Sequence, residues 1–366
     1  MQKKQFNKNI TLILPVSGKS SRFRDSDPKW ILNAPNGNLM IQEAIRELDL
    51  KLVNKILIIC LKQHLIKYIN FNSVKKSIID IVGKKIKIEI CALNRATTSQ
   101  AHTIYNGIKK NKIKGPIFIK DCDNQFKHKI IFGNKIASLN LNNAGLVEAK
   151  NKSYIEVNKK NEVLRIVEKK VISNHFCTGG YGFESAQDFC KYFQNIYNNK
   201  LQKGEIYVSH IIHSMLINNK IFTSEEVNNY IDFGTLEEWK KYQNNYLTLI
   251  CNLDGIIYKK SSKYLKNGWT FDINKQNVFA LSNFMKEKQI NLIIISSRPK
   301  NQEGKIKRHL EKNGIKVSNF VFNMQASSVC LLSNFEGATA YPSSSAINLP
   351  SDSQNLNSYL KNLSNF

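Results

Sequence analysis

Residues 14–29 read LPVSGKSSRFRDSDPK, and the rest of the chain is understood outward from them. An apolar run, Ile10 to Val16, enters a loop of small residues, Ser17-Gly18-Lys19-Ser20-Ser21; Arg22 follows, and then Pro28-Lys29. A strand that ends in such a loop predicts a βα turn. Gly18 lets the backbone turn sharply and approach a ligand closely. Successive N–H groups in a loop of this kind form a concavity that binds anions. Arg22 and Lys29 place two cations over the same spot, a combination that suits a nucleoside triphosphate. The loop is not a Walker A element, because no glycine stands five residues before Gly18. It is not a dinucleotide fingerprint either, because Gly-x-Gly-x-x-Gly is missing.

Beyond the loop, short apolar runs alternate with helical patterns. ITLILPV (10–16), KILIICL (55–61), IKIEICAL (86–93) and GPIFIKD (115–121) are β-branched and strand-like. Between them, 38–50 and 100–110 place apolar residues at helical spacing. This alternation predicts an α/β fold, a mixed, mainly parallel sheet with helices on both faces. Ligands in such sheets bind beyond the carboxyl ends of the strands, where both the Gly18 loop and Asp121-Cys122-Asp123-Asn124 fall. Residues 154–170 read as a hairpin turning at 158–161. Helices follow over 185–198 and 207–218, a strand precedes Asp232, and Thr235 opens a helix through Tyr242. A second start appears at LTLICNLDGIIY (247–258), followed by a helix (277–288), a strand (291–297) and a helix (305–312). The expected domains are therefore 1–245 and 246–366, a reading that suits a 366-residue chain. The tail from Ser351 is polar and reads as frayed.

The formal net charge is +26. A charge of that size keeps nucleic acid in view. The basic residues, however, are mostly lysines spread along the whole chain, with no arm or stripe interleaved with aromatics. No nucleic-acid partner is expected, while an anionic substrate would gain from the field. The seven cysteines are scattered and no Cys-x-x-Cys pair occurs, so they read as reduced core thiols of a cytoplasmic protein. The amino terminus lacks the long apolar region of a signal peptide, and no segment is long and apolar enough to be a membrane span.

Asp121 and Asp123 stand two residues apart at a strand end, where oxygen ligands can hold Mg²⁺; a plain Asx turn is the alternative. At this point the chain resembles the sugar-phosphate nucleotidylyltransferases, the Rossmann-like NTP transferases. Their opening motif is a strand, a Gly-rich loop, Arg and Pro-Lys, matched here by LPVSGKSSRF…PK, with Ser20 in place of the second loop glycine. Further matches follow in family order. The resemblance makes Arg22, Lys29 and Asp123 catalytic. It gives Leu14, Ser17, Gly18, Lys19, Ser20, Ser21 and, through TSQAH (98–102), Gln100 to the nucleotide. DCDNQF implies Asp123 as the principal Mg²⁺ ligand, and YIDFGT (230–235) implies Asp232 as the second, with Asp121 a further candidate. RIVEKK (165–170), CTGGYGFES (177–185) and GEIYVSHII (204–212) imply Glu168, Lys169, Gly179 and Glu205 at the acceptor. The implied reaction joins an NTP to a phosphorylated sugar or related metabolite, releases pyrophosphate and serves capsule or surface-polysaccharide assembly. Gln100 and the loop near Thr97 could serve either base class, with CTP or UTP favoured. A homo-oligomer is compatible with the pattern.

The second domain resembles the haloacid-dehalogenase-like (HAD-like) phosphatases. NLDG (252–255) stands where they have Asp-x-Asp-Gly, and IIISSRP (293–299) resembles their second motif, with Ser296 or Ser297. The nucleophile position is Asn252, and a neutral amide cannot form an aspartyl-phosphate. Near LLSNFE (331–336), Ser333 and Asn334 replace late acids. This domain is expected to be catalytically inactive; a bifunctional enzyme and a non-catalytic basic binding protein are the alternatives. His210 and His213 lie one turn apart without a third ligand and read as ordinary helix positions. Trp30 reads as a packing residue, and Cys122 as a small buried side chain.

Overall fold

The computed structural model describes residues 9–18, 28–143, 151–201, 204–325, 327, 329–332 and 344–363. The chain forms two compact units that divide between Trp239 and Lys240, a few residues before the boundary expected at 245.

The first unit runs β1 (Ile10–Pro15), α1 (Met40–Arg46), β2 (Leu48–Asp49), β3 (Val53–Leu61), α2 (Lys62–Lys67), α3 (Phe71–Val82), β4 (Lys87–Leu93), α4 (Gln100–Lys110), β5 (Ile117–Lys120), β6 (Asn124–Lys129) and β7 (Lys135–Asn140). It continues with β8 (Ser153–Val157), β9 (Val163–Glu168), β10 (His175–Phe183), α5 (Ala186–Asn198), α6 (Val208–Ile217), β11 (Thr223–Glu226), β12 (Asn228–Asp232) and α7 (Leu236–Gln243), the last running past Trp239. Among the described residues, nine strands form one sheet in the order β11-β7-β10-β5-β1-β3-β4, extended by β8 on β10 and β9 on β8. β4, β3, β1 and β5 are parallel, with Leu14 opposite Ile58 and Ile13 opposite Ile119. β10 runs antiparallel to both β5 and β7. The sheet is thus mixed, with the parallel half that the alternating runs predict.

Both faces are covered, and β1 shows why. Ile13 faces one core with Ile59, Ile119, Ala101 and Ile104 of α4, Phe193 of α5 and Ile211 of α6. Leu12 and Leu14 face the other, with Ile56, Ile58, Ile41 and Ala44 of α1, Val74 of α3 and Trp30. Strand side chains alternate sides, so a strand buried on both faces reads as a continuous apolar run. Each such side chain contributes roughly 1.5–3 kcal/mol on burial. α1 stops at Arg46, short of the expected 50, because Leu48–Asp49 pairs with β6.

A small second sheet, β12-β6-β2, positions the site. Its antiparallel pair places Asp232 opposite Asn124.

The second unit contains β13 (Tyr246–Asn252), α8 (Lys275–Glu287), β14 (Gln289–Ile295), α9 (Glu303–Lys312), β15 (Asn319–Val321) and α10 (Leu356–Leu363). β13, β14 and β15 form a parallel sheet in that order. The tail is not frayed throughout: Leu356 and Leu360, one helical turn apart, bury α10 against this unit's core with Leu281 and Phe284 of α8. The cysteines are all free thiols, but Cys330 is exposed rather than a core residue. No helix among the described residues is long and apolar enough to cross a membrane.

Candidate functional site

The floor of the site is the turn between β5 and β6. Lys120, the last residue of β5, is wholly buried. Its Nζ donates to the carbonyl of Asp121 (2.6 Å), the carbonyl of Asn124 (2.9 Å) and Asn124 Oδ1 (2.6 Å), and lies 4.5 Å from the centre of the Phe126 ring. Burial pulls its pKa down to about 8, against the opposing pull of Asp121. An ammonium that satisfies three oxygens from inside fixes the turn's shape, because leaving any of them unpaired is costly.

Asp121 is gripped from two sides. Its N–H donates to the Gly179 carbonyl (2.8 Å), and Gln100 Nε2 donates to its Oδ1 (2.6 Å). Burial, and then the charge of Asp123, push its pKa well up. Gly179 has φ +82°, and a Cβ there would stand 2.5 Å from Asp121 Oδ2.

Two further carboxylates each carry a lysine. Lys29 Nζ donates to Asp123 Oδ2 (3.2 Å) and to the Gly234 carbonyl (2.8 Å). Lys152 Nζ donates to Asp232 Oδ2 and to Tyr230 OH (2.9 Å). Burial works to raise the pKa of Asp123, but the charges of Lys29 and Lys152 outweigh it and hold the carboxyl at about 2. Phe233 N–H donates to the Asp123 carbonyl (2.8 Å), tying the two loops together. Immediately beyond, Thr235 and Glu238 form a reciprocal capping box that starts α7.

Among the described residues, no group of three or more His, Cys, Asp or Glu side chains could hold a metal by itself. Mg²⁺ is commonly bound through one or two carboxylates, with waters and substrate phosphates completing its shell. Asp123 and Asp232, on adjoining strand ends, fit that mode and not an all-protein cage.

The opposite wall comes from β9, α6 and the segment before it. Glu168 Oε2 accepts from Ser153 Oγ and from Ser209 Oγ (2.5 Å). Lys169, at φ 55°, donates to Tyr207 OH, and its Nζ lies 4.4 Å from the centre of that ring. Tyr207 OH donates to Glu205 Oε2 (2.8 Å). His210 Nδ1 accepts from the Tyr207 N–H (3.2 Å) and caps α6, the place of an ordinary helix residue.

Gln100, Asp121, Asp123, Glu168, Lys169, Gly179, Glu205 and Asp232 therefore line one cleft of about 300 Å³. Leu14 is buried in β1. Ser17 turns inward, its Oγ 2.7 Å from Thr103 Oγ1, and Gly18 is exposed with open space around its Cα. Lys19, Ser20, Ser21 and Arg22 lie outside the described residues, as do Ser333 and Asn334. Trp30 is buried and donates to His64 Nδ1 (3.2 Å), as a packing residue should. Cys122 is buried, and burial pushes its thiol pKa up, away from a nucleophile's range. Lys120, Lys152, Ser153, Tyr207 and Ser209 escape the motif reading. Lys120 alone leaves a signal, a lysine closing an apolar strand before a run of acids. A larger hollow of about 370 Å³ between α4 and α5, lined by Lys109, Lys112, Lys114 and Lys191 among others, has no carboxylate in its lining.

In the second unit, Asp254 accepts from Ser296 Oγ (3.1 Å), Ser261 Oγ (3.2 Å) and both Nε and Nη2 of Arg298. Asn252 ends β13 with its side chain exposed.

No protein-family model matches the sequence. No curated protein matches it either. Solved structures do. The nucleoside-diphosphate-sugar pyrophosphorylase from Vibrio cholerae RC9 superposes with a TM-score of 0.53 at 17% identity, covering 63% of this chain and 99% of that one. The inositol-1-phosphate CTP transferase from T. maritima gives a TM-score of 0.49 at 12% identity, covering 64% of this chain and 94% of that one. A UDP-glucose pyrophosphorylase complexed with UDP-glucose gives 0.49 at 17% identity, covering 64% and 97%. The likeness to the Vibrio cholerae protein is one of fold, an α/β architecture on a mixed, mostly parallel sheet.

Proposed function

We propose that the chain is a Mg²⁺-dependent nucleotidylyltransferase that joins an NTP to the phosphate of a sugar or related polyol. The observation that carries this reading is the cleft floor. Two lysine–carboxylate pairs, Lys29–Asp123 and Lys152–Asp232, stand at the paired ends of β6 and β12, and Asp123, Lys152 and Asp232 line the same cleft as Glu168 and Lys169. The fold shared with the pyrophosphorylase of Vibrio cholerae RC9 supports it.

An acceptor phosphate oxygen attacks the α-phosphorus. The new O–P bond forms as the bond to the β-phosphate oxygen breaks, and pyrophosphate leaves with the electron pair. The nucleophile is already anionic, so no general base is needed. Catalysis rests on positioning and charge neutralisation. Asp123 and Asp232 would hold Mg²⁺, which when bound would supply positive charge where negative charge gathers at the α-phosphate. Lys29, with Arg22, neutralises the departing pyrophosphate. Gln100 steadies Asp121 and serves the base, CTP or UTP being favoured. Glu168, oriented by Ser153 and Ser209, accepts from acceptor hydroxyls. The absent side chain of Gly179 keeps Asp121 in place. The product would feed surface-polysaccharide assembly in the cytoplasm, and the second unit would contribute no hydrolysis.

Pyrophosphate release with Mg²⁺, screened over the common NTPs and a panel of sugar, polyol and amino-alcohol phosphates, tests the reading. Lys29→Ala and Arg22→Ala are expected to lower turnover roughly 10²–10³-fold, the size of a lost transition-state contact. Asp123→Asn should abolish metal-dependent turnover while leaving circular dichroism unchanged. Full turnover in either lysine or arginine variant would overturn the phosphate-cradle assignment.

A further inference from the structure

Each proposed metal-binding carboxylate already has a cation on it, and the two pairs differ. The Lys29–Asp123 pair is half open, with Asp123 44% exposed. The Lys152–Asp232 pair is closed in, at 17% and 7%. Tyr230 OH completes it, accepting from Lys152 (2.9 Å) and donating to Asp232 Oδ2 (3.0 Å). The other oxygen, Oδ1, is taken by the Gly234 N–H (2.9 Å). A divalent cation on either oxygen of Asp232 therefore comes close to the Lys152 ammonium, and the two positive charges oppose each other.

The displaced ammonium cannot travel far. The Lys152 carbonyl accepts from the Lys169 N–H (3.1 Å), and the next residue, Ser153, donates to Glu168. The lysine backbone is thus fixed to the wall that carries Glu168 and Lys169, and its flexible four-carbon chain is long enough to turn into the cleft that all three residues line. Lys29 is tethered elsewhere, to the Gly234 carbonyl beside Asp123.

We propose that Lys152 is a resident counter-ion of Asp232 that a divalent cation displaces, and that the freed ammonium then binds the acceptor's phosphate. The two lysines divide the phosphates between them: Lys29 serves the nucleotide and Lys152 the acceptor. This rests on the functional reading of the cleft given above. Lys152 forms no covalent bond in the reaction; it moves from one anion to another.

Mn²⁺ titrated into the full-length protein alone, followed by electron paramagnetic resonance, reads the first half. Lys152→Met should bind Mn²⁺ roughly tenfold or more tightly than the wild type, because a like charge within 4–6 Å has been removed. Lys152→Gln should match it, and Lys152→Arg, which keeps the charge, should stay near the wild type. Inorganic phosphate titrated into the Mn²⁺-saturated protein reads the second half. Its affinity should fall roughly tenfold or more in Lys152→Met and Lys152→Gln, the loss expected for one charged hydrogen bond. Unchanged or weaker Mn²⁺ binding in these variants overturns the counter-ion role, and unchanged phosphate affinity overturns the delivery. An effect confined to the methionine variant indicates packing and also overturns it. Should wild-type protein release no pyrophosphate with any nucleotide, the transferase reading fails, while the Mn²⁺ result judges the counter-ion role on its own.

Discussion

A methyl group at position 179 would lie 2.5 Å from Asp121 Oδ2 and 2.9 Å from Asn124 Nδ2, on a backbone with φ +82°. Both the strain and the collision act on the turn that aims Asp123. Gly179→Ala should therefore cost about 2–3 kcal/mol, since a non-glycine residue held in this region costs on the order of 1–3 kcal/mol before any clash. Urea midpoints would measure it, and a loss under about 0.5 kcal/mol would show that the turn yields freely. The same residue-level logic settles what Asn252→Asp would do. A new carboxylate there could act as a phosphatase nucleophile only beside a free partner acid. Asp254 is not free: Arg298, itself wholly buried, donates to it through Nε and Nη2. The Tyr258, Trp269 and Phe271 rings enclose that guanidinium, with centres 5.0–5.4 Å away. Asn252→Asp is thus expected to hydrolyse p-nitrophenyl phosphate no faster than the wild type with Mg²⁺ present. A gained turnover would mean that Asp254 is released from Arg298 in solution.

At the scale of elements, α4 joins the core to the cleft, and Gly107 sets how closely it lies on β3. A Cβ at 107 would be 2.2 Å from Ile59 Cδ1 and 2.8 Å from Cγ1, with Ile59 fully buried. Alanine gains about 1 kcal/mol of helix propensity over glycine, while overpacking a filled core costs typically 1–3 kcal/mol. Gly107→Ala should be net destabilising, by roughly 1 kcal/mol in thermal melts; a rise in melting temperature would show that Ile59 repacks at no cost. Elements of this kind are legible in the chain: β1, β3 and β5 are apolar runs, β4 alternates apolar residues with Lys87 and Glu89, and α4, α5 and the β8–β9 hairpin have strong periodicity or turn signals. The rest of the sheet is not. β7 (KIASLN) and β11 (TSEE) lack an apolar run, and β10 (HFCTGGYGF) hides its strand behind glycines needed for close approach. α10 escapes because, among the described residues, its anchors are two leucines, Leu356 and Leu360, in an otherwise polar stretch. In the site, ordered motifs find Asp123, Glu168, Gly179 and Asp232. Lys152 is invisible among 54 Lys and Arg residues, and its meaning arises only when β12 folds Asp232 against it.

For the molecule as a whole, the decisive fact is that the cleft's lining residues all belong to the first unit, while the second has a core of its own. A ligand that binds only folded protein stabilises it by RT ln(1 + [L]/Kd), about 2.7 kcal/mol at a hundredfold excess over Kd. A domain of 150–250 residues gains about 2–4 °C per kcal/mol. Calorimetry should therefore show two transitions, and the preferred NTP with Mg²⁺ should raise the first unit's by roughly 5–10 °C. The transitions can be assigned independently of any ligand. Leu360→Ala empties a position that is 2% exposed in the second unit's core, and such truncations cost about 2–5 kcal/mol, so it should lower the second transition alone. Nucleotide that instead raises the transition lowered by Leu360→Ala would place the binding determinants in the second unit. It would also remove the ground for assigning catalysis to the first.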